Sequence, residues 1–114
     1  MLHINIICIG KLKEQYLKDA LNEYSKRLYK YCSLKIIELP DEKVPENLNA
    51  NIINKIKEIE SNNILSHIKN NSYTIALDLH GKQLSSEEFS LKIENIALNN
   101  NSNINFIIGG TLGL

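Results

Sequence analysis

The stretch NFIIGGTLGL, residues 105–114, joins a short apolar run to a glycine-rich turn. A continuous apolar run such as residues 106–108 is typical of a strand that is buried on both faces of a parallel sheet. Gly109, Gly110 and Gly113 follow the run, and a glycine-rich turn lets the backbone approach a ligand closely. The stretch therefore predicts an inner strand with a binding turn at its carboxyl end.

Three more strand patterns lie upstream, each followed by a helix pattern. The strand patterns are INIICIG (residues 4–10), LKIIEL (residues 34–39) and YTIALDL (residues 73–79). The order β-α-β-α-β-α-β predicts an α/β fold, an open parallel sheet with helices on its faces and right-handed crossovers. The sequence has no internal repeat and no interdomain linker, so residues 1–114 are interpreted as a single domain.

The three helix patterns differ in how clearly they are marked. In the third, Ser85 and Glu88 have the spacing of a capping box, and Leu84 and Phe89 have the spacing of a hydrophobic staple. The second slips in phase near residues 61–63, which allows a bend or a break there. The first has apolar residues at spacings of three and four, which predict a buried face made of Tyr16, Leu17, Ala20, Leu21, Tyr24, Leu28 and Tyr31.

The carboxyl ends of the strands are where an open parallel sheet binds its ligands. Three of the four strand patterns end in glycine, at Gly10, Gly81 and Gly109, which places the candidate site along that edge. His80 lies at the mouth of this site, although a loop histidine is more often solvated than reactive. Asp78 falls inside a strand pattern and is interpreted as a hydrogen-bonded structural carboxylate.

The known phosphate-binding motifs fail at this edge. A dinucleotide fingerprint needs GxGxxG, and Ile108 stands where its first glycine belongs. A Walker loop needs GxxxxGK[ST], but Ala76 replaces its first glycine and Gln83 replaces its hydroxyl residue. A receiver-type phosphorylation domain needs acidic residues after its first strand, where this sequence has glycine and lysine. A phosphate cradle is therefore disfavoured, and no catalytic Ser/His/Asp or Cys/His array takes its place.

The composition limits the partners and the location. The 13 basic and 13 acidic residues give a formal net charge of zero, which argues against a strongly basic surface for nucleic acid. Cys8 and Cys32 share no CxxC or Cys/His spacing, so they are interpreted as reduced, packed thiols and no metal site is predicted. The first residues contain neither a signal peptide pattern nor an apolar run long enough to span a bilayer. We therefore expect a cytoplasmic protein without a membrane partner.

A glycine-lined crevice without a catalytic group of its own suits a particular kind of cofactor. Such a site can position a cofactor whose reactive group is already activated, because the protein then has mainly to align it with the nucleophile. S-adenosylmethionine is one example, since its sulfonium needs little help to transfer a methyl group.

Four blocks of the chain, in the same order, resemble the RlmH (YbeA-like) family of SPOUT-class methyltransferases. The resemblance implies a SPOUT-like (α/β-knot) fold and methyl transfer from S-adenosylmethionine to N3 of a pseudouridine in 23S ribosomal RNA. It also implies a cytoplasmic homodimer whose partner is ribosomal RNA in the large subunit or the assembled ribosome. The blocks are IGKLKEQYLKDALNEYSKRL (residues 9–28), IIELPDEKVPEN (residues 36–47), LDLHGKQLSSEEF (residues 77–89) and FIIGGTLGL (residues 106–114).

The same resemblance implies which residues bind the cofactor. Leu77 in the third strand and Gly109 in the fourth-strand turn match family residues that contact S-adenosylmethionine, and Gly110 and Gly113 belong to the same turn. The residues themselves are equally compatible with a strand core position for Leu77 and a simple turn glycine at Gly109. No catalytic residue is assigned.

Members of that family continue past this turn into a segment that ties the knot, completes the cofactor pocket and makes much of the dimer contact. The 114-residue chain is therefore interpreted as C-terminally incomplete, and we expect it to bind the cofactor weakly or not at all. Two other interpretations stay open. One is a non-catalytic remnant or an RNA- or partner-binding domain of the same fold; the other, an unrelated flavodoxin-like nucleotide-binding domain, lacks the phosphate motifs. The first would use basic residues of the first helix, which more often form a solvated face: Lys18, Lys26, Arg27 and Lys30.

Overall fold

The computed structural model describes residues 2–99 and 102–110. Within these residues, strands and helices alternate as the sequence predicts. The elements are β1 (Leu2–Ile9), α1 (Gln15–Leu28), β2 (Cys32–Leu39), α2 (Ala50–Leu65), β3 (Tyr73–Leu77), α3 (Ser86–Leu98) and β4 (Asn103–Ile108).

The four described strands form one parallel sheet in the order β2-β1-β4-β3. The prediction of a parallel α/β sheet is confirmed, and β1 and β4 are its inner strands. In the register, Ile9 pairs with Leu39, Cys8 pairs with Ile108, and Leu77 also pairs with Ile108. All four carboxyl ends therefore meet at one edge of the sheet.

The two faces of the sheet are covered by different helices. Because side chains alternate along a strand, Ile7, Ile9 and Ile107 point to one face, where they form a core with Ile64 of α2. On the opposite face, Ile104 and Phe106 pack against Ile96 of α3. The rings of Phe106 and Phe89 lie 5.8 Å apart between centroids, which adds an aromatic contact to this second core.

Local signals fix where α2 and α3 begin. The Ser85 side chain accepts a hydrogen bond from the Glu88 N–H, and the Glu88 carboxylate accepts one from the Ser85 N–H, which confirms the predicted capping box. Asn49 caps α2 by accepting from the Ile52 N–H at 2.9 Å. This second helix is continuous from Ala50 to Leu65, so the sequence signal for an interruption near residues 61–63 does not produce one.

The predicted buried face of α1 is wrong for most of its residues. Tyr16 is 70% exposed and Tyr31 is 77% exposed, while Tyr24 and Leu28 are also exposed. Of the predicted face only Leu21 is partly buried, where it lines a cavity against the sheet, and the buried residue of the helix is Ser25. Apolar periodicity identifies a stripe on a helix, but it does not say whether another part of the same chain covers that stripe.

A polar network crosses the sheet at the amino-terminal half of its α2 face. The Asn5 amide donates to Asn105 Oδ1 at 3.1 Å, and the Asn105 amide donates to Ser72 Oγ at 2.9 Å and to Thr74 Oγ1 at 3.4 Å. Asn105 is only 2% exposed, so these bonds replace the water that its amide loses on folding.

Among the helices of residues 2–99 and 102–110, none combines the length and the apolar character that crossing a bilayer requires.

Candidate functional site

The candidate site lies along the carboxyl edge of the sheet, where turns rich in glycine follow the strands. Gly10 ends β1 with a φ of 98°, a conformation that favours glycine, and its N–H donates to Leu39 O at 2.7 Å. Gly109 and Gly110 follow β4 directly. The predicted glycine edge is thus present, and Gly113 lies outside the described residues.

A cavity of about 440 Å³, here called the glycine-turn cavity, lies beside Gly109 and Gly110 on the face of the sheet that α1 and α3 share. Its floor is mainly apolar, with Ile6 and Ile36 from the sheet and Leu21 from α1. Both predicted glycines of the turn line it, so backbone groups border the cavity where side chains would otherwise project.

Two carboxylates, Glu38 and Asp41, line the same cavity. A Cβ placed at Gly10 would lie 2.8 Å from Asp41 Oδ2, so the Asp41 side chain comes close to the end of β1. Lys11 also lines the cavity, so the charged residues of its lining sum to one negative charge, which favours a ligand with cationic groups over a phosphate. The structure therefore agrees with the failure of the phosphate motifs at this edge.

The Cys8 thiol also borders the glycine-turn cavity, and it donates to Ile37 O at 3.6 Å. Burial, and then the nearby Glu38 and Asp41 carboxylates, raise the pKa of this thiol above its ordinary value of 9.0. Cys8 therefore stays protonated at neutral pH and is poorly suited to act as a nucleophile. Both Cys8 and Cys32 are free thiols.

A second cavity of about 390 Å³, here called the β3-end cavity, contains Leu77. Asp78, Gly81 and Lys82 also line it, together with Phe89 of α3. It opens on the same face of the sheet as the glycine-turn cavity, because the side chains of Leu77 and Ile108 share one register position.

Leu77 and Gly109 therefore line neighbouring cavities, not a single one. Leu77 pairs with Ile108, and Gly109 is the next residue of the chain, so the two predicted cofactor residues lie at the ends of adjacent strands. Ile108 lines the glycine-turn cavity, while its register partner Leu77 lines the β3-end cavity. A ligand that touches both predicted residues would extend across Ile108.

The prediction that Asp78 lies inside a buried strand is wrong. Strand β3 ends at Leu77, and Asp78 is exposed in the turn that follows. Its carboxylate accepts from the His80 N–H at 3.3 Å, and its backbone oxygen accepts from the Gly81 N–H at 3.0 Å. β3 is an edge strand of the described sheet, and no partner strand there extends it further.

His80 is exposed in the same turn and lines neither of the two cavities. The part of the chain that the structure describes contains no cluster of histidine, cysteine, aspartate and glutamate that could hold a metal ion. The arrangement at this edge therefore places apolar side chains and glycine backbone around two cavities that can receive a ligand.

The sequence interpretation missed one residue at this edge, Glu60 of α2. Its side chain is buried, and its Oε1 would lie 3.0 Å from a Cβ at Gly110. Ile56, Glu60 and Ile64 are the buried residues of α2 and recur every four positions. A carboxylate in the middle of an apolar helix stripe is the signal that identifies it.

A model of the family described as "Predicted SPOUT methyltransferase" matches residues 2–114 of the chain. The chain belongs to this family. The prediction of family membership, which was based on four sequence blocks, is confirmed, and the parallel sheet that alternates with helices is consistent with a SPOUT domain.

Curated relatives of this SPOUT chain carry a consistent name. The "Ribosomal RNA large subunit methyltransferase H" of Clostridium botulinum (strain 657 / Type Ba4) is 59% identical over 113 residues, which cover 99% of this chain and 71% of the relative. The protein with the same name from Clostridium acetobutylicum is 57% identical over the same shares. The "Ribosomal RNA large subunit methyltransferase H 1" of Clostridium perfringens (strain SM101 / Type A) is 56% identical.

Proposed function

We propose that this protein is an S-adenosylmethionine-dependent methyltransferase that acts on N3 of a pseudouridine in 23S ribosomal RNA. The observation that carries the proposal is the match of 99% of the chain to proteins named as ribosomal RNA large subunit methyltransferases, at 56–59% identity. The family description, which names a methyltransferase, supports the same reaction type. A non-catalytic binding domain is not favoured, because the family and the similar proteins are named as methyltransferases.

The residues at the carboxyl edge fit the chemistry of this cofactor. The glycine-turn cavity offers apolar walls, backbone groups at Gly109 and Gly110, and the carboxylates Glu38 and Asp41. Apolar walls suit an adenine ring and a methionine chain, and carboxylates suit the cationic centres of the molecule. We propose that Leu77, Gly109, Gly110 and Gly113 contact the cofactor.

In this proposal the protein contributes alignment. S-adenosylmethionine, when bound, supplies a methyl group on an activated sulfonium. Leu77 contributes apolar surface from the end of β3, and Gly109 and Gly110 let the backbone come close from the end of β4. Holding two reactants in a productive geometry is a large source of rate acceleration by itself, and in methyl transfer the nucleophile is the substrate.

We propose further that residues 1–114 form one SPOUT domain, that the protein works in the cytoplasm as a homodimer, and that its substrate is ribosomal RNA in the large subunit or the assembled ribosome. The exposed stripe of α1 supports the dimer, since Tyr16, Tyr24 and Leu28 leave an apolar helix face uncovered, and Tyr31 in the turn after the helix is also exposed. A dimer contact on this stripe would account for a regular apolar pattern on a helix whose apolar residues are exposed.

A labelling experiment tests the reaction. Ribosomes from a strain that lacks the corresponding gene are incubated with the protein and S-adenosylmethionine that carries a tritiated methyl group. Because residues 1–114 alone are expected to bind the cofactor weakly or not at all, the assay uses a protein in which the family's continuation follows residue 114. We expect label in 23S ribosomal RNA, in a nucleoside that co-elutes with N3-methylpseudouridine. Label in another nucleoside would contradict the proposed position, and an absence of label in the presence of measured cofactor binding would contradict the proposed reaction.

A further inference from the structure

Glu60 of α2 is a buried acidic side chain at the carboxyl edge of the sheet. It is 5% exposed, and it occupies the position between the core residues Ile56 and Ile64 on the helix. A glutamate is rarely this buried unless its oxygens are bonded, because removing the group from water is costly. The position therefore calls for an explanation in terms of what the carboxylate contacts.

The carboxylate of Glu60 faces two separate segments of the chain. Its Oε2 accepts a hydrogen bond of 3.2 Å from the backbone N–H of Glu42, in the segment that follows β2. Its Oε1 faces Gly110, where a Cβ would lie only 3.0 Å away, and the same Cβ would lie 3.0 Å from Ile9 Cγ2. Glu60 and Ile9 thus fill the space that a side chain at position 110 would need.

We propose that Glu60 is a positioning residue that fixes the glycine turn after β4 for cofactor binding. The inference rests on the proposed function, because it assigns Gly109 and Gly110 to the cofactor. One oxygen of Glu60 holds the segment after β2, and the rest of the carboxylate packs under Gly110. The segment after β2 carries Asp41 and the turn after β4 carries Gly110, and both residues line the glycine-turn cavity. Glu60 contacts both segments, so it supports both of these walls.

The contact geometry makes the proposal specific to the carboxylate and to glycine at position 110. Glu60→Ala removes the acceptor of the Glu42 N–H and empties the space under the turn. Glu60→Gln keeps the shape and one oxygen, so it can keep the bond to Glu42. Gly110→Ala introduces a Cβ into the space that the Glu60 carboxylate occupies, so its effect depends on which residue stands at position 60.

The experiment measures cofactor affinity and thermal stability for these variants and for two controls on the same helix. Ile56→Ala removes a core side chain and controls for loss of stability alone, while Glu58→Ala removes an exposed carboxylate. At a temperature where all variants are folded, we expect Glu60→Ala to weaken S-adenosylmethionine binding about tenfold, and Glu60→Gln to recover most of the loss. Ile56→Ala should lower Tm and leave the affinity unchanged, and Glu58→Ala should change neither.

The coupling to Gly110 provides the second readout. We expect Gly110→Ala to lower both affinity and Tm, and to cost less in the Glu60→Ala background, because the Cβ then meets Ile9 Cγ2 but no longer the Glu60 carboxylate. Additive losses in the double variant would overturn the proposal, and so would an affinity loss for Ile56→Ala as large as that for Glu60→Ala.

Failure of the proposed function is distinguishable from failure of this inference. If the protein does not bind S-adenosylmethionine even when the family's continuation follows residue 114, the function is contradicted, while the double-variant cycle in Tm and the amide hydrogen exchange of Glu42 still decide the role of Glu60. The proposed role of Glu60 predicts that the Glu42 amide exchanges faster in Glu60→Ala, and that the wild-type exchange rate returns in Glu60→Gln. Unchanged exchange at Glu42 in Glu60→Ala overturns it.

Discussion

Leu77 and Ile108 are register partners at the ends of β3 and β4, so that Gly109 begins where both strands have just ended. Two residues that are far apart in the sequence thus come to adjacent positions at the edge of the sheet. Parallel pairing is the cause, since it brings the carboxyl ends of neighbouring strands together. The relationship makes the proposed cofactor residues testable in pairs.

The first prediction concerns the contact of Leu77 with the cofactor. Leu77→Asp should weaken S-adenosylmethionine binding about tenfold or more, because it replaces apolar surface in the β3-end cavity with a carboxylate that the ligand would desolvate. Titration calorimetry gives the affinity. Leu79→Asp is the matched control, since Leu79 is 100% exposed and does not line the cavity. Equal losses for the two variants would show that charge alone, and not contact, lowers the affinity.

The second prediction concerns the start of α3. Ser85→Ala should destabilise the protein by about 1 kcal/mol and lower Tm by about 4 °C, because it removes the acceptor of the Glu88 N–H. Thermal unfolding followed by circular dichroism measures the change. Ser86→Ala, one position into the helix, should leave Tm unchanged or slightly higher, because alanine is the better helix former. A Tm loss of equal size for Ser86→Ala would contradict a role of the cap.

The elements that sequence could predict are those with strong local signals. The apolar run of β4 and the capping box of Ser85 and Glu88 depend on residues within a few positions of each other, and the structure shows both. The exposed stripe of α1 and the end of β3 at Leu77 depend on what packs against them from elsewhere. Local periodicity carries no information about such partners, which is why those two predictions failed.

The candidate site was predictable to a similar extent. The rule that parallel sheets bind ligands at their carboxyl edge placed Leu77 and Gly109 near each other, and the register does bring them to adjacent strand ends. The sequence did not predict that they line two different cavities. It also did not identify Glu60, because a search for apolar periodicity passes over a carboxylate in the stripe.

The third prediction concerns the buried amide pair of Asn5 and Asn105. Asn105→Leu should destabilise the protein by about 1–3 kcal/mol, because it leaves the Asn5 amide without its acceptor inside the sheet. Urea unfolding measures the loss. The double variant Asn5→Leu/Asn105→Leu should be more stable than Asn105→Leu alone, because no buried amide of the pair is then left without a partner. A double variant that loses the sum of both single costs would show that the two amides act independently.

The fourth prediction concerns the pH dependence that Cys8 gives to stability. Burial, with Glu38 and Asp41, raises the pKa of this thiol above 9.0, so the folded protein keeps the proton at pH values where the unfolded chain has lost it. In that window the folded state binds more protons, and the free energy of unfolding falls as pH rises. Below the ordinary pKa both states are protonated, and the thiol contributes no slope.

Cys8→Ala tests this sign. Urea unfolding of both proteins from pH 7.5 to 10.5 should show a steeper decline in stability for the wild type, so that the unfolding free energy of the wild type minus that of Cys8→Ala falls once the pH passes the ordinary thiol value of 9.0. The lysines and tyrosines of the two proteins are the same, so their contributions cancel in the difference. A difference that stays constant across the range would mean that the folded protein does not hold the Cys8 proton more tightly than the unfolded chain. If the unfolding free energy of the wild type minus that of Cys8→Ala instead rises with pH, the folded protein favours the thiolate, and not the thiol, beside Glu38 and Asp41.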